Sequence, residues 1–346
     1  HIARDESHLV TLAEEMAFFA PGLEVLRFPA WDSVPYDRVS PHSEVVARRV
    51  ETLSKLAGKK DNGSAPFIVI TTVSAFLQKV PPKSLFAGAM VDISTGGRVD
   101  LDEFTAFLVT NGYHRAETVR EPGEYALRGG LIDIFPPGTL EPLRLDLFGD
   151  EVENIRAFDP MTQLTTGKRD SLSLIPVNEM TLDEESITRF RTRYRELFGV
   201  AGGSDPLYEA ISAGRRFDGM EHWLPLFHQE MARLSDYMPA GHAVTFDHQA
   251  IEARTARLEM IDDYYEARKA MTAARQAMEL TYKPLPPEYL FLDAKEWDAL
   301  TLDRPVGVFS PFKTPEDATP DDYIASIDAG GRGGRGRRRA PLARQR

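Results

Sequence analysis

The chain has 346 residues, 42% hydrophobic and 27% charged, which is material for two or three soluble domains without any apolar run long enough to cross a bilayer. It has no cysteine, which excludes disulfides, thiolate nucleophiles and cysteine metal sites and fits a reducing cytoplasmic setting. The net charge is −12, yet residues 329–346 hold seven Arg and no acid, leaving about −19 on residues 1–328, an acidic body that repels phosphate backbones.

The opening HIARDESHLV lacks a basic start followed by an apolar stretch, so it does not read as a secretory signal, and without an initiator Met it reads as a fragment or processed chain. Residues 5–20 are predicted helical and LEVLRF (23–28) a strand. A proline-punctuated loop, FPAWDSVPYDRVSP, leads to a helix over Ser43–Ala57. Val46, Val50, Leu53 and Leu56 line one face of that helix, and Ser43 is its candidate cap. FIVIT (67–71) reads as a buried strand, and VSAFLQKV as a short helix ended by Pro81-Pro82. This alternation implies a small α/β layer.

Near Val91 the pattern changes. Residues 100–113 read as one helix, and strand-like runs then crowd together to about residue 157. Gly129-Gly130 suits a two-residue hairpin loop, and Gly149-Asp150 a second. Val152, Ile155 and Phe158 break period two, which predicts a bulge. The unit is expected to be α+β with a mainly antiparallel sheet. Helical signals return near Leu182, with Asp183 as cap and Ile187, Phe190, Tyr194 and Leu197 on the apolar face. HAVTFD (242–247) reads as a strand, Gln249–Leu280 as a long charged helix, and EYLFLD and GVFSPF as short strands. The Arg/Gly-rich end reads as low-complexity tail.

Catalytic motifs are weak. No G-x-x-x-x-G-K-[ST] phosphate loop occurs. Asp5-Glu6-Ser7-His8 spells a helicase-like acidic box, but only four residues precede it, so a solvated helix start is the simpler reading. Gly331, Gly333 and Gly336 fit G-x-G-x-x-G without a strand before or a helix after. His222 and His228, like His242 and His248, are six apart and do not share a helical face, and Asp262-Asp263 reads as a solvated helix face. No cofactor or metal is assigned to this chain.

The docking signal lies in LRLDLF (143–148). Alternation sends Leu143, Leu145 and Leu147 to a core and Arg144, Asp146 and Phe148 outward. A large aromatic beside Arg on a solvated face has the composition of a protein-binding hot spot, and Arg128 closes the neighbouring strand. The competing reading pairs Arg144 with Asp146 or Glu151 and tucks Phe148 beneath a loop.

Four segments carry a resemblance: FPAWDSVPYDRVSPHSEVVARRVETLSKL, ITTVSAFLQKVPP, GEYALRGGLIDIFPPGTLEPLRLDLFGDEVENIRAFD and GMEHWLPLF. Over roughly residues 1–325 the chain resembles the UvrB-like amino-terminal region of the bacterial transcription-repair coupling factor (Mfd) family. The resemblance implies an α/β and α+β multidomain fold, with a degenerate RecA/UvrB-like domain 1 split by an inserted domain 2. The expected bounds are 1–91, 92–179 and 180–312, with 313–346 as linker and tail. It implies a noncatalytic adaptor that recruits UvrA through Arg128, Arg144 and Phe148, the matches to the family's contact residues. ATP, Mg, RNA polymerase and double-stranded DNA belong to the full-length family member, whose motor and carboxy-terminal domain are not matched here. Because that last domain masks the UvrA-binding face in the family, the face is expected to be open. Domain 1 is expected to lack its first strand, and the Arg/Gly tail reads as a frameshifted or artificial end. A UvrB-type nucleotide-dependent enzyme and a nucleic-acid-binding tail are the alternatives.

Overall fold

The structure is a computed structural model and describes residues 1–59, 65–199, 205–274, 282–299 and 304–309. Its strands, in chain order, are β1 (Ile2–Ala3), β2 (Glu24–Phe28), β3 (Phe67–Thr72), β4 (Val91–Ser94), β5 (His114–Arg115), β6 (Glu124–Arg128) and β7 (Leu131–Ile134). Then follow β8 (Leu143–Phe148), β9 (Glu151–Phe158), β10 (Thr165–Arg169), β11 (Ser171–Leu174), β12 (Val244–Phe246) and β13 (Val306–Val308).

The first sheet is parallel, in the order β13-β12-β1-β3-β2, so strands from both ends of the chain complete one layer. Helices cover both faces, so apolar residues of β2 and β3 point to both sides of the sheet. Val25, Ile68 and Ile70 pack with Leu9 and Ala13 of the Glu6–Phe19 helix. Leu26, Phe28 and Val69 instead join Val46, Val50, Leu53 and Leu56 of the Ser43–Gly58 helix. That helix is capped by His42, whose Nδ1 accepts from the Glu44 amide; Ser43, the expected cap, is its first helical residue.

Asp183 does cap its helix, Glu184–Phe198, accepting from the Ser186 amide at 2.8 Å. Phe190 and Tyr194 are buried there, while Leu197 is exposed rather than part of the apolar face. The Phe190 ring stacks on Phe227 with centroids 4.9 Å apart. GMEHWLPLF, which carries no clear period, contains a 3₁₀ helix over Met220–Leu226 with all seven side chains buried.

Several sequence expectations are corrected. VSAFLQKV is helical only over Val73–Leu77; Gln78 and Val80 then make isolated bridges to Phe291 and Ala232. EYLFLD is not a strand: Pro287–Leu290 is a helical turn, started by proline at its first positions. The long charged helix is described over Ala250–Ala274, and its predicted end lies outside the described residues, as does the Arg/Gly tail with its glycine triplet. GVFSPF contributes to β13, and its last three residues likewise lie outside.

Between β3 and β12 the chain leaves the parallel sheet for a second one, in the order β10-β9-β8-β7-β6-β5. It is antiparallel except for the short β5–β6 pair. β4 and β11 form an antiparallel neck, with Val91 opposite Leu174 and Ser94 opposite Ser171. The sheet strands and neck beyond residue 157 were not expected; TTGKR is polar and interrupted by Gly167, and SLSL is four residues without a β-branched or aromatic side chain. The helix Leu101–Thr110 packs Phe104 and Leu108 against Ile132, Ile134, Leu145, Val152 and Ile155.

Candidate functional site

The second sheet has one face in its own core and one turned away. Directly paired residues point to the same side, so the ladder register defines the outer face. Arg128 pairs with Leu131, Leu131 with Asp146, and Asp146 with Asn154. In the next row Ala126 pairs with Asp133, Asp133 with Arg144, Arg144 with Arg156, and Arg156 with Lys168. Beyond Asp146 the β8–β9 register shifts by one residue of β9, the bulge expected from the broken alternation, and Phe148 then pairs with Glu151.

The tip of this face is built around Gly129-Gly130. Gly129 has φ +60°, the left-handed region that a tight hairpin requires. A Cβ on Gly130 would lie 2.8 Å from the Leu147 carbonyl oxygen, and the Leu147 amide donates to Gly130 O at 2.7 Å. Glycine therefore lets β8 run close beside the turn, which brings the end of β8 to the hairpin tip. Phe148 stands there with 77% of its surface exposed, in company with exposed Arg128 and Leu131. The Arg128 guanidinium donates to the Glu117 carbonyl.

Arg144 sits differently. Its Nε and Nη2 donate to the two oxygens of Asp133 at 2.6 and 2.8 Å, and its guanidinium lies 4.7 Å from the Phe158 ring centroid. Its side chain is 18% exposed and that of Asp133 3%. The hydrogen-bonded carboxylate raises the Arg144 pKa further above its ordinary value. Arg144 thus pairs across to β7 and not with Asp146 or Glu151, the partners considered from the sequence. Asp146 instead accepts from Arg156 at 2.7 Å. Beneath these pairs Val119, Ala126, Phe135 and Phe158 form a small apolar cluster on the outer side. Arg128, Arg144 and Phe148 therefore share one face, but they do not form one cluster of free groups. Asp133 is the residue that sequence reasoning missed. Its signal was the alternation in LIDIF, which sends Leu131, Asp133 and Phe135 outward together.

The remaining candidates sit in structural settings, as a helix cap, an exposed helix face and packed rings. Asp5 caps the first helix, accepting from the His8 amide at 2.9 Å, so the acidic box is a helix start. Asp262 and Asp263 lie on an exposed helix face. His228 faces the Glu179 carbonyl at 2.8 Å, and His222 is enclosed by Trp31 and Tyr36. Burial pulls both histidines down to a pKa of about 4. Among the described residues, no three His, Cys, Asp or Glu gather as a metal site, and no helix is long and apolar enough to cross a membrane. A cavity of about 160 Å³ lies in the body, walled by Tyr194, Leu207, Phe217 and Trp223.

Residues 91–180, which hold the outer face, match the UvrB interaction domain. The chain is 32% identical over 325 residues to the transcription-repair-coupling factor of Rickettsia bellii, covering 94% of this chain and 28% of that protein. It is 38% identical to the Haemophilus influenzae protein of the same name over 62% of this chain and 18% of the relative. The corresponding figures for Escherichia coli are 30%, 85% and 25%. The chain spans less than a third of the length of these curated relatives.

Proposed function

We propose that this chain, a relative of the transcription-repair-coupling factors along 94% of its residues, is an adaptor that binds UvrA through the outer face of residues 91–180. The observation that carries this reading is Phe148, a phenyl ring left 77% exposed beside Arg128 in a unit that matches the UvrB interaction domain. An aromatic ring held on a rigid sheet loses little conformational entropy on docking, and a partner pocket that encloses it gains its full apolar burial. The role is recruitment: the chain presents this face so that repair proteins gather where transcription has stopped. RNA polymerase and duplex DNA are proposed partners of the whole protein and not of this face.

The test is titration of UvrA with wild type and Phe148→Ala. Because the ring is exposed, its truncation leaves the fold intact, and the thermal transition should be unchanged. Binding should weaken by roughly 1–4 kcal/mol, about fivefold to nearly a thousandfold in affinity. Equal affinity of the two proteins would refute the assignment.

A further inference from the structure

We infer that Arg144 serves partner binding as a positioning residue, and that Asp133 is the other half of its device. This rests on the UvrA reading above and assigns roles within that face. A guanidinium that grips a partner carboxylate offers its fork, the edge formed by Nε and one Nη. In Arg144 that fork is occupied by both oxygens of Asp133, and the flat of the group lies on Phe158. Taking the fork for a partner would strand the Asp133 carboxylate, 3% exposed, without its cation, and the interface would have to offset that cost. Left in place, the pair ties β7 to β8 one register step below Leu131 and Asp146. A second tie, Asp146 to Arg156, joins β8 to β9. Between them these pairs fix the strand ends that carry Leu131 and Phe148. The surface a partner meets is then Arg128, Leu131 and Phe148 around the Gly129-Gly130 turn, and it calls for an apolar pocket edged by hydrogen-bond acceptors.

The two roles for Arg144 predict opposite results at Asp133. Asp133→Asn keeps the shape and one acceptor but releases the fork. If Arg144 positions the face, Asp133→Asn weakens UvrA binding by about tenfold, and the double variant Asp133→Asn/Arg144→Gln is little worse than either single one. If Arg144 grips UvrA directly, Asp133→Asn binds as wild type does or more tightly, and Arg144→Gln alone weakens binding; that result overturns the inference. Ile155→Val, a methyl deletion in the core of the same sheet, controls for mere loss of stability: its thermal transition falls while affinity stays unchanged. An equal loss of affinity in Ile155→Val would also overturn the inference. Should Asp133→Asn fail to fold, Asp133→Glu decides. Glutamate keeps the charge but moves both oxygens out by one methylene, so weakened binding supports positioning and wild-type affinity refutes it. Phe148→Ala runs alongside: if it binds normally, the UvrA reading has failed; if it binds poorly while Asp133→Asn binds normally, only the present inference has.

Discussion

At the scale of single residues, burial decides what a charged or polar group can do. His222 is 3% exposed, and among the described residues neither ring nitrogen has a hydrogen-bond partner. Trp31 meets it edge-on at 5.7 Å and Tyr36 stacks at 6.4 Å, so the ring is packed as an aromatic and not used as a base. Its pKa, with that of His228, falls from 6.5 to about 4 because burial penalises the imidazolium. The unfolded chain therefore binds more protons than the folded one between those values, and stability drops as pH falls through that window. The loss amounts to roughly 3 kcal/mol per histidine at its limit, complete near pH 4 and absent above about pH 7. Glu221, raised by burial, works in the opposite sense at the acid end. Denaturant midpoints should thus be lower at pH 5 than at pH 7.5, and His222→Phe should flatten the slope by one proton without lowering stability at neutral pH. An unchanged slope would show that His222 is solvated. From the sequence, six-residue spacing was enough to set these histidines aside as ligands. Their burial came from an aromatic cluster assembled by segments far apart in the chain, which no local pattern displays. Asp133 is the converse case: its outward direction was legible, its partner was not, because the partner depends on the register of β7 against β8.

At the scale of elements, legibility followed local chemistry. The Gly129-Gly130 hairpin, the Asp183 cap and the bulge opposite Leu147 each have a cause within a few residues, and each was readable. EYLFLD failed because a strand-like composition was overridden by Pro286 and Pro287, which favour a helical start. β10 was missed because it is a polar edge strand, and β11 because it is only four residues long, although its Leu172 and Leu174 face the core. The hairpin also separates two uses of glycine. Gly129 needs only its positive φ, with no atom within 4 Å of an added Cβ, whereas Gly130 needs the space. Gly129→Asn should therefore cost under about 1 kcal/mol, since asparagine tolerates the left-handed region. Gly130→Ala must push against the Leu147 carbonyl and should cost about 1–3 kcal/mol. Equal losses in denaturant unfolding of the two variants would contradict this division. Because the strain falls on β8 one residue before Phe148, Gly130→Ala should weaken UvrA binding as well.

At the scale of the whole molecule, the change of pattern near Val91 and the return near Leu182 were visible as a switch from helix–strand alternation to crowded strands. That segments on both sides of the excursion build one domain was implied by the resemblance, and local pattern could not show that they share a parallel sheet, because β1, β12 and β13 are two or three residues long. The consequence is a unit with its own core: every buried residue of that cluster falls between Ile93 and Leu174, and the β4–β11 neck sets the two chain ends side by side. Its links to the body gather at residues 175–180, where Ile175 and Met180 join the body's core clusters. Arg216 donates to Asn178 Oδ1 at 3.0 Å, and Glu179 receives the buried Arg49 guanidinium, with Nη2 at 3.1 Å from Oε2. Neither link completes the sheet or its core, so a fragment of residues 91–180 should fold alone. It should unfold in one cooperative thermal transition, give a dispersed amide spectrum, and bind UvrA within about threefold of the full chain. A collapsed, non-cooperative fragment would mean that the body is needed to complete the sheet. A folded fragment that no longer binds would move the docking surface off the outer face and onto the body that Arg49 and Glu179 hold against it.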